Sequence, residues 1–261
     1  MKNKFFIVLV SRLRDSSAGL PLITLRVGRL VYSLVFLVCC LWSLPVFAGT
    51  IPERFGGKDT LRYKVYYGGM YSGYVQWKYL GVQTLAGKPT EALSIISDTK
   101  IMAFLELDSD ETIYLDAATF LPAKVVRKVN VFGSKEDITE TYDQSAGTVT
   151  IDKTVNKKPS RQVLKQEPPV RHMLSALYFF PPDVSLEPGS KFVFNLPTRK
   201  VNVEVRPARK LPGKIKNPPA CYYITGRGEK NFNLWLDKQK MVPIRLEIPL
   251  ALGTIVIIKE D

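Results

Sequence analysis

From residue 60 onward the chain is written in short segments whose apolar and polar residues alternate. LRYKVYY at 61–67 puts Leu61, Tyr63, Val65 and Tyr67 on one face and Arg62, Lys64 and Tyr66 on the other, the period-two pattern of a half-buried strand. After Gly68-Gly69, MYSGYVQWKYL (70–80) returns, followed by EALSIIS (91–97), DETIYLD (110–116), PAKVVRKVNVF (122–132), DITETYD (137–143) and GTVTIDK (147–153). Beyond a polar stretch come KFVFNL (191–196), KVNVEVRPA (200–208), ACYYITGRG (220–228), NFNLWLD (231–237), VPIRLEIPL (242–250) and GTIVIIKE (253–260). Turn residues separate these segments at short, fairly regular spacing. The pattern predicts an all-β fold, an antiparallel β-barrel that is either open or closed. IMAFLEL (101–107) fits either a plain strand or an adaptable apolar lip built on Met102 and Phe104. The acidic run ELDSDE (106–111) reads as a solvated turn ahead of a strand.

One segment departs from the alternation. RHMLSALYFF (171–180) spaces Leu174, Leu177 and Tyr178 at i, i+3 and i+4 and ends at Pro181-Pro182, which predicts a short helix. So short a helix is not stable alone. Its apolar stripe is therefore expected to pack on the concave side of the sheet or across the barrel end.

A phrase also occurs twice. YLDAATFLPAK (114–124) and WLDKQKMVPIR (235–245) share an aromatic residue, Leu, Asp, three spacers, two apolar or aromatic residues, Pro, an apolar residue and a base. In each, Asp116 or Asp237 is placed to accept backbone N–H groups two or three residues on and so fix a tight turn. Pro122 and Pro243 then re-enter the next strand near its start, where a missing N–H is tolerated. Two hairpins of one design predict a single exported domain over 49–261 with two related halves, about 60–153 and 191–260.

The second hairpin resembles that of the periplasmic lipoprotein carrier and receptor proteins, half-open antiparallel barrels that hold acyl chains on an apolar concave face. The mature chain as a whole resembles the exported domain-of-unknown-function family numbered three-one-zero-eight. The matching stretches are LRYKVYYGGMYSG (61–73), YLDAATFLPAKVVRK (114–128), MLSALYFF (173–180) and WLDKQKMVPIRLEIPLALGTIVIIKE (235–260). That resemblance implies an exported barrel-like protein and carries no established activity. His172 stands where the family pattern has an acid.

Residues 30–48, LVYSLVFLVCCLWSLPVFA, form an uncharged apolar run preceded by Arg26 and Arg29 and closed by Val46-Phe47-Ala48. This is the layout of a secretory signal peptide cleaved after Ala48, here with a long leader over residues 1–25. The alternative is an uncleaved inner-membrane anchor, for which the run is just long enough. A periplasmic location follows from the first reading. Cleavage removes Cys39 and Cys40 and leaves Cys221 alone, so no intramolecular disulfide can form. It also removes six bases and one acid, which takes the net charge from +13 to +8.

Such a charge directs an exported protein to anionic envelope components, lipid among them, and not to nucleic acid. The densest basic segment supplies Arg199, Lys200, Arg206, Arg209, Lys210, Lys214 and Lys216 as anionic-surface candidates. One histidine and one mature cysteine do not make a zinc set, and no phosphate loop follows any strand, so neither a metal nor a cofactor is expected. His172 and Ser175 lie three apart without a nucleophile elbow or a spaced acid, and no enzymatic activity is expected. Two readings remain. In the first, a β-barrel concavity binds an apolar or amphipathic, lipid-like envelope molecule against Met102, Phe104, Leu174, Leu177, Tyr178 and Trp235. In the second, the concavity is filled by the protein's own side chains and the protein docks on an envelope partner.

Overall fold

The computed structural model describes residues 51, 55, 59–101, 105–131, 133–180, 184–213, 218–228 and 231–260. Residues 1–50, with the run expected to be a signal, and the candidates Met102, Phe104, Lys214 and Lys216 lie outside the described residues. Eight strands precede the helix: β1 (Thr60–Tyr67), β2 (Met70–Leu85), β3 (Lys88–Ile101), β4 (Leu105–Asp116), β5 (Pro122–Val131), β6 (Ser134–Asp143), β7 (Thr148–Val155) and β8 (Lys158–Lys165). The helix α1 (Met173–Tyr178) is followed by β9 (Lys191–Leu196), β10 (Arg199–Arg206), β11 (Cys221–Arg227), β12 (Phe232–Asp237), β13 (Pro243–Leu250) and β14 (Gly253–Lys259).

All fourteen strands form one antiparallel sheet in the order β8-β7-β6-β5-β4-β3-β2-β1-β14-β13-β12-β11-β10-β9. Two meanders are thus joined where the first and last strands pair, Tyr63 opposite Lys259 through Tyr67 opposite Ile255. Strand alternation sets the inner face. In β1, Leu61, Tyr63, Val65 and Tyr67 are buried while Arg62 and Lys64 are exposed; in β10, Val201, Val203 and Val205 are buried while Lys200, Asn202 and Arg206 are exposed.

The sheet is not closed, and its edges β8 and β9 are bridged by chain rather than by a ladder. Gln144, in the β6–β7 turn, offers its amide to Val170 as a peptide group would: Nε2 donates to Val170 O at 2.9 Å and Oε1 accepts from Val170 N at 3.0 Å. Arg171 N then donates to Asn195 O of β9 at 2.7 Å. This ties the segment after β8 to the β6–β7 turn on one side and to β9 on the other.

The alternation did not predict β8. Its residues KPSRQVLK are exposed along nearly their whole length, so no apolar face marks it. Lysines, Arg161 and Pro159 on an outermost strand instead protect a free edge from pairing with another chain. The acidic run is corrected as well. It lies within β4 rather than in a turn, with Asp110 exposed and Glu111 buried on the inner face.

The two repeated hairpins share the same backbone bonds to their aspartates. Ala118 N and Thr119 N donate to Asp116 Oδ1 at 3.1 and 2.9 Å; Gln239 N and Lys240 N donate to Asp237 Oδ1 at 2.7 and 2.9 Å. Phe120 and Met241 both adopt positive φ, 53° and 54°. Each turn closes with one extra residue, Ala123 or Ile244, bulged between the proline and the base. Thr119 hydroxyl and backbone bonds, the Ala118 N–H and nearby Lys88 hold the Asp116 carboxyl below its usual range against the opposing effect of burial. Asp237→Ala is expected to lower unfolding free energy by about 1 kcal/mol, the worth of a local side-chain-to-backbone bond. Urea denaturation of the purified variant checks this.

Candidate functional site

The inner face of the sheet is occupied. His172 is the N-cap of α1; its carbonyl accepts Ala176 N at 2.9 Å, and α1 carries Ala176, Leu177 and Tyr178 into the core. Tyr178 is 3% exposed. Its ring stacks on Trp77 of β2 with centroids 3.9 Å apart and meets Tyr63 of β1 edge-on at 5.3 Å. Phe179 continues onto Trp77 and Phe120, and Phe180 onto Phe192 and Phe194 of β9. The aromatic run YFF therefore spans the concavity from β2 to β9. A six-residue helix lacks stability of its own, and this burial supplies it.

Leu174 packs half-buried against the same core, and Leu177 is enclosed by it. Trp235, expected on the concave face, is on the other one. Leu234 and Leu236 point into the core, so Trp235 between them points away. It is buried there against Tyr223, 4.9 Å between ring centroids, with its Nε1 donating to Arg209 O at 3.2 Å. The β10–β11 connection thus folds over the outer surface and covers this ring. An aromatic residue in a strand carries no sequence mark of which covered face it takes.

Below the helix lies a group that sequence reasoning missed. Glu111 of β4 and Arg127 of β5 are directly opposed in register, with Arg127 Nε 3.4 Å from Glu111 Oε2. Arg127 also reaches β6, where NH2 meets Glu140 Oε1 at 2.6 Å. Tyr142, two residues along β6 and so on the same face, donates its hydroxyl to Glu140 Oε2 at 2.5 Å. His172 Nε2 sits 3.6 Å from Glu111 Oε1, and neither that oxygen nor His172 Nδ1 has a hydrogen-bond partner among the described residues. Alternation could have placed Glu111 inward with Ile113 and Leu115. The run of neighbouring acids drew it to the solvent instead.

Burial raises the Glu111 carboxyl to about 7, with Arg127 opposing and Glu140 assisting. Burial, helped by Arg127, lowers the His172 imidazole to about 3. Desolvation outweighs the attraction a Glu–His ion pair would offer, so the two face each other as acid and neutral imidazole. Tyr142 is likewise held protonated, by burial first and then by Glu140.

These shifts have opposite signs in stability. Glu111 contributes stability that is full below its ordinary value of 4.5 and lost as pH rises through about 7. His172 contributes stability that is full above its ordinary 6.5 and lost as pH falls toward about 3. Between 4.5 and 6.5 the unfolded chain carries its proton on His172 and the folded chain on Glu111, so the two slopes cancel. Thermal melts should show this by subtraction. Parent minus Glu111→Gln is expected to fall from pH 4.5 to 7, and parent minus His172→Gln to rise from pH 3 to 6.5. Parallel profiles would contradict the assignment.

Ser175 Oγ donates to the main-chain O of His172 at 2.9 Å, not to the imidazole. Burial pushes the Cys221 thiol up to about 11. Among the described residues no cluster of three or more His, Cys, Asp or Glu could hold a metal ion.

The described basic candidates stand in different settings. Lys200 pairs with Glu167 at 2.9 Å and Arg206 with Glu204 at 2.8 Å. Arg209 lies over the Tyr223 ring at 5.7 Å, Lys210 is exposed in the loop, and Arg199 is on the opposite side of β10 from Lys200. Surface depressions of about 470, 380 and 510 Å³ lie over β3–β6, over β9–β11 and beside the β4–β5 and β6–β7 turns; none is lined by α1, Tyr63 or Trp77.

An open antiparallel sheet curled around its own helix defines a β-barrel-like protein. The solved structure of a beta-barrel-like protein of domain of unknown function DUF1849 from Brucella abortus shares this fold, with a TM-score of 0.50 and 11% sequence identity over 77% of this chain and 95% of that one. The chain belongs to DUF3108, a family of proteins of unknown function whose model matches residues 62–259. No curated protein matches the chain.

Proposed function

We propose that this protein is a non-catalytic protein of the cell envelope that works by docking, with its own helix as the permanent filling of the barrel-like sheet. The observation that carries this reading is the seat of Tyr178, stacked on Trp77 at 3.9 Å and buried to 3% exposure. A carrier of a lipid-like molecule needs that volume free. Here the YFF run takes the place an acyl chain would occupy. Export to the periplasm, with cleavage after Ala48, belongs to the proposal and rests on the charge-free run at 30–48 behind Arg26 and Arg29. The net charge of +8 after cleavage suits an anionic envelope partner. The test is titration of the purified protein with a fluorescent fatty-acid probe. No saturable uptake is expected, and stoichiometric uptake would restore the carrier reading.

A further inference from the structure

Two hairpins that meet in the middle of the sheet carry no charge over long stretches. Val65 to Trp77, across β1 and β2, has none, nor does Ile248 to Ile258, across β13 and β14. The two are neighbours: β1 pairs with β14, Tyr66 opposite Val256, and Gly68 N donates to Thr254 O at 3.3 Å. Their tips therefore project side by side from the same end of the sheet. Gly68 and Gly69, both at positive φ, make the tight turn between β1 and β2.

These tips are apolar and open. Met70 is 68% exposed, Tyr71 60%, Leu250 40% and Leu252 80%. Tyr66 meets Tyr71 edge-on at 5.9 Å, which sets two tyrosines just behind the tip. β14 is half-buried along its whole length although its core sequence is IVII. Four exposed apolar side chains are gathered on two neighbouring turns at one end of the sheet, unlike the singly scattered exposed residues of an ordinary soluble surface.

We propose that these paired tips are a membrane-surface anchor that inserts into an anionic lipid bilayer. The choice of occupant rests on order along the strands. Apolar residues lead, tyrosines follow, and the first charge beyond the band is a lysine on three of the four strands: Lys64 on β1, Lys78 on β2 and Lys259 on β14. On β13 it is Glu247, whose carboxylate is paired with Arg245 at 2.8 Å, as Lys64 is with Glu260 at 3.4 Å. Lys64 lies four residues behind the turn, about 14 Å at strand rise. Both tips are uncharged to that depth, so an apolar edge sunk into the acyl boundary would carry no charge into it and would set the tyrosines at the interface, with Lys78 and Lys259 farther back. The net positive charge of the chain has the matching sign.

This deepens the docking proposal by naming the partner, and its test is separate from that of the filled concavity. Purified protein is floated with vesicles of phosphatidylethanolamine and phosphatidylglycerol, and with neutral phosphatidylcholine vesicles as the comparison. The parent is expected to float with the anionic vesicles. The double variant Met70→Glu/Leu252→Glu, made at exposed positions, should keep its melting temperature and lose at least about tenfold in vesicle affinity. Equal binding of parent and variant would overturn the proposal and give the membrane contact to the basic segment 199–210. No flotation of the parent would also overturn it, as would self-association of the parent that the double variant abolishes. Neither result would alter the fatty-acid titration.

Discussion

Tyr178→Ala is expected to lower the unfolding free energy by about 3–5 kcal/mol, the range for removing a large aromatic ring from a packed core. The ring lies between Trp77 and Tyr63 and makes both contacts at close range, 3.9 and 5.3 Å between centroids. Its removal leaves a void under a helix of six residues that has no acid in its first turn, no base in its last and no side-chain cap. That helix has no local reserve, so the loss should propagate to Phe179 and Phe180. Leu177→Ala should follow at about 2–5 kcal/mol. Denaturant midpoints of both variants check this. A loss under about 1 kcal/mol for Tyr178→Ala would mean that the ring borders free space rather than a filled core.

Arg127→Met is expected to cost a similar amount, about 3–5 kcal/mol, for an electrostatic reason. Arg127 is the cation between Glu111 and Glu140, both nearly out of water. Breaking a buried ion group by deleting one member leaves the others uncompensated, which costs far more than the intact group contributes. The Glu111 carboxyl, already raised by burial, would lose the cation that opposes that rise, so the variant's stability should be greatest in acid and fall as pH rises through neutrality. The companion variant Arg127→Met/Glu111→Leu/Glu140→Met removes the charges together and should recover most of the loss. Failure of the triple variant to recover would indicate that the network also holds His172 and the helix in place.

Much of this fold was legible because strand periodicity is local. Thirteen of the fourteen strands carry an apolar face or a continuous apolar run, and the Asp116 and Asp237 turns have the same chemistry at the same spacing. β8 was not legible, since an edge strand that faces water on both sides has no reason to alternate. The helix was legible from its spacing, although only Met173–Tyr178 is helical within the expected 171–180. The buried Glu111–Arg127–Glu140 group was not. Its members are 16 and 13 residues apart in sequence and meet only through strand register. Trp235 illustrates the remaining limit. A strand pattern separates two faces, but the cover over the outer face comes from a distant connection, here Arg209.

The account turns on whether the concavity is full. A fluorescent fatty-acid probe titrated into the parent protein measures that directly. With Tyr178, Phe179 and Phe180 seated between β2 and β9, the probe should show no saturable change in emission. Saturable, one-to-one uptake that a bulky Leu177→Trp substitution blocks would contradict the account and make α1 the gate of a lipid site.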